Sequence, residues 1–273
     1  MTALQHRSAF TLVTAIAVIG LALPGLATSA AYPNEVDRYR PGGSDFIPAT
    51  IEPGDGGPWV EELQLRLASA GFRPGPPDGR FGRATLGAVY AFQKLHDLTR
   101  DGVFRAADWA LLETTPALPE AAEPDRVEVD LGRQVLYLVR QQRVEVVLPI
   151  SSGNGEQFRN ASGSLVRART PEGGFQFYNH IDGWRISYLG GLYRPYYFRG
   201  GYAIHGSASV PPFEASHGCV RVELHDMDFL TTRLEIGMPV FVYGKGVARS
   251  SLLPVLPRAT GSGFEVDGGF LLN

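Results

Sequence analysis

Cys219 is the one cysteine in a chain of 273 residues, and it stands in the string Ala215-Ser216-His217-Gly218-Cys219-Val220-Arg221. A second histidine precedes it in Tyr202-Ala203-Ile204-His205-Gly206-Ser207. A thiol is a strong nucleophile only as thiolate, and a free cysteine with a pKa of ~8.5 is mostly protonated at neutral pH. An imidazole within reach can take that proton, and a third group can fix its tautomer. Gly218 lets the backbone turn sharply and approach a substrate closely. These residue types point to a cysteine nucleophile activated by a histidine. A buried structural cysteine is the bland alternative, and the polar Ser-His-Gly context argues against it. Spacing alone leaves both His205 and His217 open as the base.

Metal chemistry is not expected. The histidines lack a paired spacing with carboxylates or further cysteines, so neither a metal nor another cofactor is implied. The chain carries 25 basic and 28 acidic residues. It has no Lys/Arg run, which argues against nucleic acid or an anionic membrane surface as a partner.

Residues 1–30 read as a signal peptide. Arg7 opens it, Ala9 to Leu23 is apolar apart from two threonines, and Ala27-Thr28-Ser29-Ala30-Ala31 offers small residues for cleavage. The apolar run is shorter than the ~20 residues a spanning helix needs and ends at Pro24-Gly25, so no stable membrane span is expected after cleavage. An exported chain with one thiol cannot form an internal disulfide, which gives Cys219 other work to do.

Two folded regions must then position the chemistry. Residues 31–53 are proline-studded and read as a linker. Residues 54–115 read as a small three-helix domain: a helix from about Pro58 to Ala70, a second across Thr85 to Gln93, and a third near Asp108 to Leu112. Asp78-Gly79 and Asp101-Gly102 mark turns between them. Residues 116–124 form a second, semi-rigid linker. Residues 125–245 read as mainly β, with strands at Val127 to Leu131, Gln134 to Val139 and Arg143 to Ile150 in an antiparallel meander. A helix is expected from Leu224 to Leu234 and a last strand at Val240 to Tyr243. Residues 246–273 read as a flexible tail, and Trp184 to Tyr202 as a glycine- and aromatic-rich segment.

His205-Gly206-Ser207 followed by Ser216-His217-Gly218-Cys219-Val220-Arg221 resembles the signature of the YkuD-type L,D-transpeptidases. Ser151-Ser152-Gly153 and Thr170-Pro171 resemble the start of that domain, and many members carry Asn where this chain has Arg221. Residues 54–115 resemble the peptidoglycan-binding three-helix module, through Leu63-Gln64, Asp78-Gly79, Phe92-Gln93 and Asp101-Gly102. The resemblance implies a multidomain, exported enzyme of the periplasm or cell wall, with a helical binding module before a β-sandwich catalytic domain. It implies Cys219 as nucleophile, His205 as base with one ring nitrogen held by the Gly206 carbonyl, and backbone N–H groups around His217-Gly218-Cys219 for the oxyanion. Ser216 and Arg221 are the implied substrate contacts, and the Trp184–Tyr202 segment a lid over the cleft. The implied partner is peptidoglycan, with stem peptides as donor and acceptor. The thiolate–imidazolium pair is expected to depress the thiol pKa. Transfer to water, as an L,D-carboxypeptidase, and a non-catalytic wall-binding protein are the competing readings.

Overall fold

A computed structural model describes residues 48–114 and 125–252. The expected signal peptide, residues 31–47 of the first linker, the second linker and residues 253–273 lie outside the described residues.

The N-terminal region is helical. A two-residue strand β1 (Thr50–Ile51) precedes α1 (Pro58–Ser69) and α2 (Arg83–Leu95); β2 (Phe104–Arg105) then pairs with β1 ahead of α3 (Asp108–Glu113). Pro58 suits the first turn of α1, where its missing N–H has no intrahelical partner to lose. Each long helix uses a buried glutamine to close the turn that follows it. Gln64 donates to Asp78 Oδ1 (3.0 Å) and accepts the Gly79 N–H (3.0 Å). Gln93 repeats this with Asp101 (2.9 Å) and Gly102 (3.0 Å). The repeated Asp-Gly turn is therefore a shared device, an amide side chain standing in for backbone partners.

The C-terminal region is mainly β. β3 (Arg126–Asp130), β4 (Val135–Arg140) and β5 (Arg143–Pro149) make the expected antiparallel meander. Then come β6 (Gln157–Arg159), β7 (Leu165–Arg167), β8 (Gly173–Gln176), β9 (Asn179–His180), β10 (Trp184–Ser187), β11 (Gly190–Arg199), β12 (Tyr202–Ser207) and β13 (Val220–Glu223). α4 (Leu224–Thr231), β14 (Pro239–Tyr243) and α5 (Arg249–Leu252) follow. One five-stranded sheet runs β5-β4-β3-β14-β8; the other runs β10-β11-β12-β13, with β9 also on β11. The meander expectation missed two parallel pairs, β14 with β3 and β12 with β13.

Between the sheets lies one core, with Val127, Val129, Leu136 and Leu138 meeting Ile204, Val220 and Val222, and with Met227 and Leu230 of α4. The opposite face of the meander is buried too. Val135, Tyr137, Val139 and Val147 join Leu63, Leu67, Phe92 and Phe104 in a second core. β4 alternates sharply, its even-numbered leucines facing the other sheet and its odd-numbered residues the helices. A strand covered on both faces reads as a continuous apolar run, and Val135-Leu-Tyr-Leu-Val139 is one.

The helical region is fixed to the sheet by polar contacts as well. Lys94 Nζ donates to Ile150 O (2.8 Å), and Val147 N–H donates to Gly71 O (2.9 Å). Arg73 pairs with Asp226 (3.1 Å), and Arg83 with Glu223 (2.7 Å). A helical module hung from a spacer would show none of this.

Residues 246–252 are not a loose tail. The Glu172 carboxylate accepts the N–H groups of Lys245, Gly246 and Val247, and Arg249 makes a two-pronged pair with buried Glu128 (2.6 and 2.9 Å). Glu128 also contacts buried Arg126.

Candidate active site

β12 and β13 carry the two halves of the His…Cys pattern. They run parallel, with Ile204 beside Val220, His205 beside Arg221, Gly206 beside Val222 and Ser207 beside Glu223. Parallel neighbours need a crossover of about a dozen residues, and residues 208–219 supply it. Side chains alternate, so Ile204, Val220 and Val222 enter the core while His205 and Arg221 share the other face. Cys219 stands one residue before β13, in step with Arg221, and so on the face that carries His205.

His205 is buried, at 4 % exposure, and its Nδ1 lies 2.9 Å from Gly206 O. A carbonyl can only accept, so Nδ1 holds the proton and Nε2 keeps a lone pair. Gly206 has no room for a side chain, since a Cβ there would sit 2.9 Å from the Tyr193 ring and 3.0 Å from Met227. His217 is exposed and packs edge-on against Phe158, ring centroids 4.8 Å apart. Cys219 is half-buried, its Sγ 3.8 Å from Gly201 O.

The loop before the sulfur is tied tightly. Ser216 Oγ accepts the Gly218 N–H (2.9 Å) and donates to Cys219 O (2.6 Å). Gly218 has a φ of 132°, and a Cβ there would lie 2.6 Å from the Tyr202 ring and 3.0 Å from Arg169 O. Thr170 Oγ1 donates to Gly218 O (2.8 Å) and accepts the Gly153 N–H (3.0 Å). Ser152 O accepts the N–H groups of Ala215 and Ser216, and Ser151 and Arg221 exchange two backbone bonds of 3.0 Å each. Residues 151–153 and Thr170 thus hold both ends of the cysteine loop. Their sequence signal was the Ser151-Ser152-Gly153 and Thr170-Pro171 strings, which carried no role on their own.

Residues 124–242 match the YkuD family, the L,D-transpeptidase catalytic domain, and residues 56–112 match a peptidoglycan binding domain. Among solved structures, an L,D-transpeptidase from Xylanimonas cellulosilytica is 42% identical, with a TM-score of 0.68. The match covers 73% of this chain and 100% of that one. An L,D-transpeptidase from Stackebrandtia nassauensis is 22% identical over 71% of this chain and 95% of its own, at a TM-score of 0.42. The chain belongs to the YkuD L,D-transpeptidase family.

Within this L,D-transpeptidase the electrostatics depart from one expectation. Burial pushes the Cys219 thiol up, against smaller opposing effects of the Ala203 backbone and Arg221. Burial also pushes His205 down, to about 4, with the Gly206 carbonyl opposing and Arg221 adding to the fall. Burial thus favours a neutral thiol and a neutral imidazole over the expected thiolate–imidazolium pair. Desolvation disfavours both charged forms. Arg221, itself pushed down by burial, acts on both groups.

The aromatic segment divides into two parts. Tyr196 and Phe198 belong to the core, while Trp184, Ile186 and Tyr188 are exposed on the β10–β11 hairpin. Tyr197 is near enough to Cys219 for the sulfur's charge to raise its phenol, after burial. Among the described residues no helix is long and apolar enough to cross a membrane, and no group of three or more potential metal ligands occurs.

Proposed function

We propose that this chain is an exported cell-wall L,D-transpeptidase that cross-links peptidoglycan stems through a Cys219 thioester. The reading is carried by one arrangement: the single thiol shares a sheet face with a buried imidazole whose Nε2 is a free acceptor. Cys219 Sγ attacks the carbonyl carbon of a stem's third residue as His205 Nε2 takes the thiol proton. The Gly218 N–H is already given to Ser216 Oγ, which leaves the N–H groups of His217 and Cys219 to meet the oxyanion. The C–N bond to the terminal D-alanine breaks, and the imidazolium protonates the leaving amine. A second stem's side-chain amine then attacks the thioester, giving its proton to His205 and its nitrogen to the new amide, while the sulfur regains a proton. Arg221 is the side chain to meet a stem carboxylate, a contact that suits a guanidinium, and Ser216 shapes the loop beneath it.

Residues 1–30 serve export in this reading, and residues 54–115 keep residues 125–245 on the wall. The test is incubation of the mature protein with disaccharide-tetrapeptide, followed by mass analysis. Acyl-enzyme, cross-linked dimer and free D-alanine are expected from the native protein, and none from Cys219→Ala. Release of D-alanine with no dimer, even with an amine acceptor present, would make water the acceptor and the enzyme a carboxypeptidase.

A further inference from the structure

A cavity lined by described residues lies outside the site described so far. A groove of about 410 Å³ lies where α2 meets the crossover loop after β12. That volume falls within the ~300–1,000 Å³ of small-ligand sites. Its polar lining comes from Arg83 and Tyr90 of α2, Ser209 of the loop and Glu223 of β13.

The chemistry of this lining selects a class of ligand. Arg83 and Glu223 neutralise one another across 2.7 Å, and Arg83 also donates to Ala208 O. The walls therefore offer no net charge to a carboxylate or an ammonium. Arg83 Nη1 and Glu223 Oε1 take no part in these bonds. The hydroxyls of Tyr90 and Ser209 have no side-chain hydrogen-bond partner among the described residues. Donors and acceptors are thus waiting for a neutral, hydrogen-bonding ligand. Peptide capture by strand addition needs backbone N–H groups along an edge. Here Pro149, Pro211 and Pro212 line the wall and supply none. Their rings and the Tyr90 ring instead offer apolar faces beside the polar groups, a combination suited to a sugar.

Position supports the same ligand. Glu223 lies on the sheet face of Arg221 and Cys219, four residues along from the sulfur. At ~3.3 Å per residue the separation is roughly 13 Å. Three extended stem residues reach ~10 Å, so a sugar held in the groove could present its stem's third residue at Cys219 once the sugar–peptide linkage is added. We infer that the groove between α2 and residues 208–212 is a glycan subsite, binding the uncharged amino-sugar backbone of peptidoglycan in fixed register with the nucleophile. This rests on the wall-enzyme reading above.

The test separates the two. Full-length Cys219→Ala protein is titrated calorimetrically with a peptide-free β-1,4-linked N-acetylglucosamine tetramer. Saturable binding is expected, weakened about tenfold when Ser209→Trp fills the groove, as loss of one well-made contact region would do. Tyr90→Phe, which removes only a hydroxyl, is expected to weaken it by a few-fold and guards against misfolding of the tryptophan variant. Absence of saturable binding, or binding that neither substitution changes, overturns the subsite. Competition by free tetrapeptide also overturns it, because the groove would then hold peptide. Glycan binding needs no turnover, so it can stand where the transfer reaction fails, and the reverse.

Discussion

Replacing Lys94 with methionine should change how stability depends on pH. Lys94 is fully buried on α2, and its ammonium donates to Ile150 O at 2.8 Å. Burial pushes its pKa down to about 7, with Arg100 adding to the fall and Glu214 opposing it. An unfolded lysine titrates near ~10.4. The folded side chain thus binds its proton more weakly, so between about pH 7 and 10.4 the unfolded chain holds the extra proton and stability rises with pH. Each unit of pH inside that window is worth ~1.4 kcal/mol, tapering near its ends, so the native protein should gain about 2 kcal/mol from pH 7 to 9 through this group. Lys94→Met has no such gain. It does leave Ile150 O without its donor, a cost of ~1–3 kcal/mol that is nearly the same at both pH values. The difference between the two proteins, read from urea unfolding at pH 7 and pH 9, should therefore shift by about 2 kcal/mol in favour of the native chain. A difference that stays constant across those pH values refutes the buried, weakly basic lysine.

Three further outcomes follow from the same geometry. Gly218→Ala, forced to a φ of 132° and into the Tyr202 ring, should lose nearly all acyl-enzyme formation while the unfolding midpoint falls only modestly; retained activity by intact-mass assay would contradict the packing described. Alkylation of Cys219 by iodoacetamide should be slow at pH 6 and keep rising past pH 8, because burial raises the thiol and leaves His205 neutral above about 4; a plateau below pH 7 would mean a resting ion pair. A fragment holding only residues 125–252 should aggregate, since removing the helices bares Val135, Tyr137, Val139 and Val147, and size-exclusion chromatography would reveal a stable monomer if this is wrong.

What was legible in the chain was local. The periodicity of Val60, Leu63 and Leu67 gave α1 to within a residue of its end, alternation gave β3, and Val/Leu-rich runs gave β4 and β5. The His205 and Cys219 strings stood out because their residue types have few uses together. What stayed hidden depends on contacts distant in sequence. The parallel pairing of β12 with β13 joins segments on either side of a twelve-residue crossover, and no short-range pattern encodes a parallel partner. The depressed imidazole and raised thiol come from desolvation by surrounding elements, which a motif does not contain. Lys94, one residue past the expected end of the second helix, drew no reading from the sequence, yet it is fully buried.

The same distant contacts change what the helical region does. As a tethered module it would act on catalysis only by raising local concentration, with an effect set by linker length. Here Lys94 holds Ile150, whose neighbour Ser151 is paired with Arg221, while Ser152 O holds the loop at Ala215 and Ser216. Gly153 continues the chain through Thr170 to Gly218, beside the sulfur. One backbone segment, residues 150–153, therefore joins α2 to both ends of the nucleophile's support. Changes in α2 that leave wall binding intact should still alter the geometry at Cys219. The helices then serve as part of the scaffold that holds the Cys219 loop.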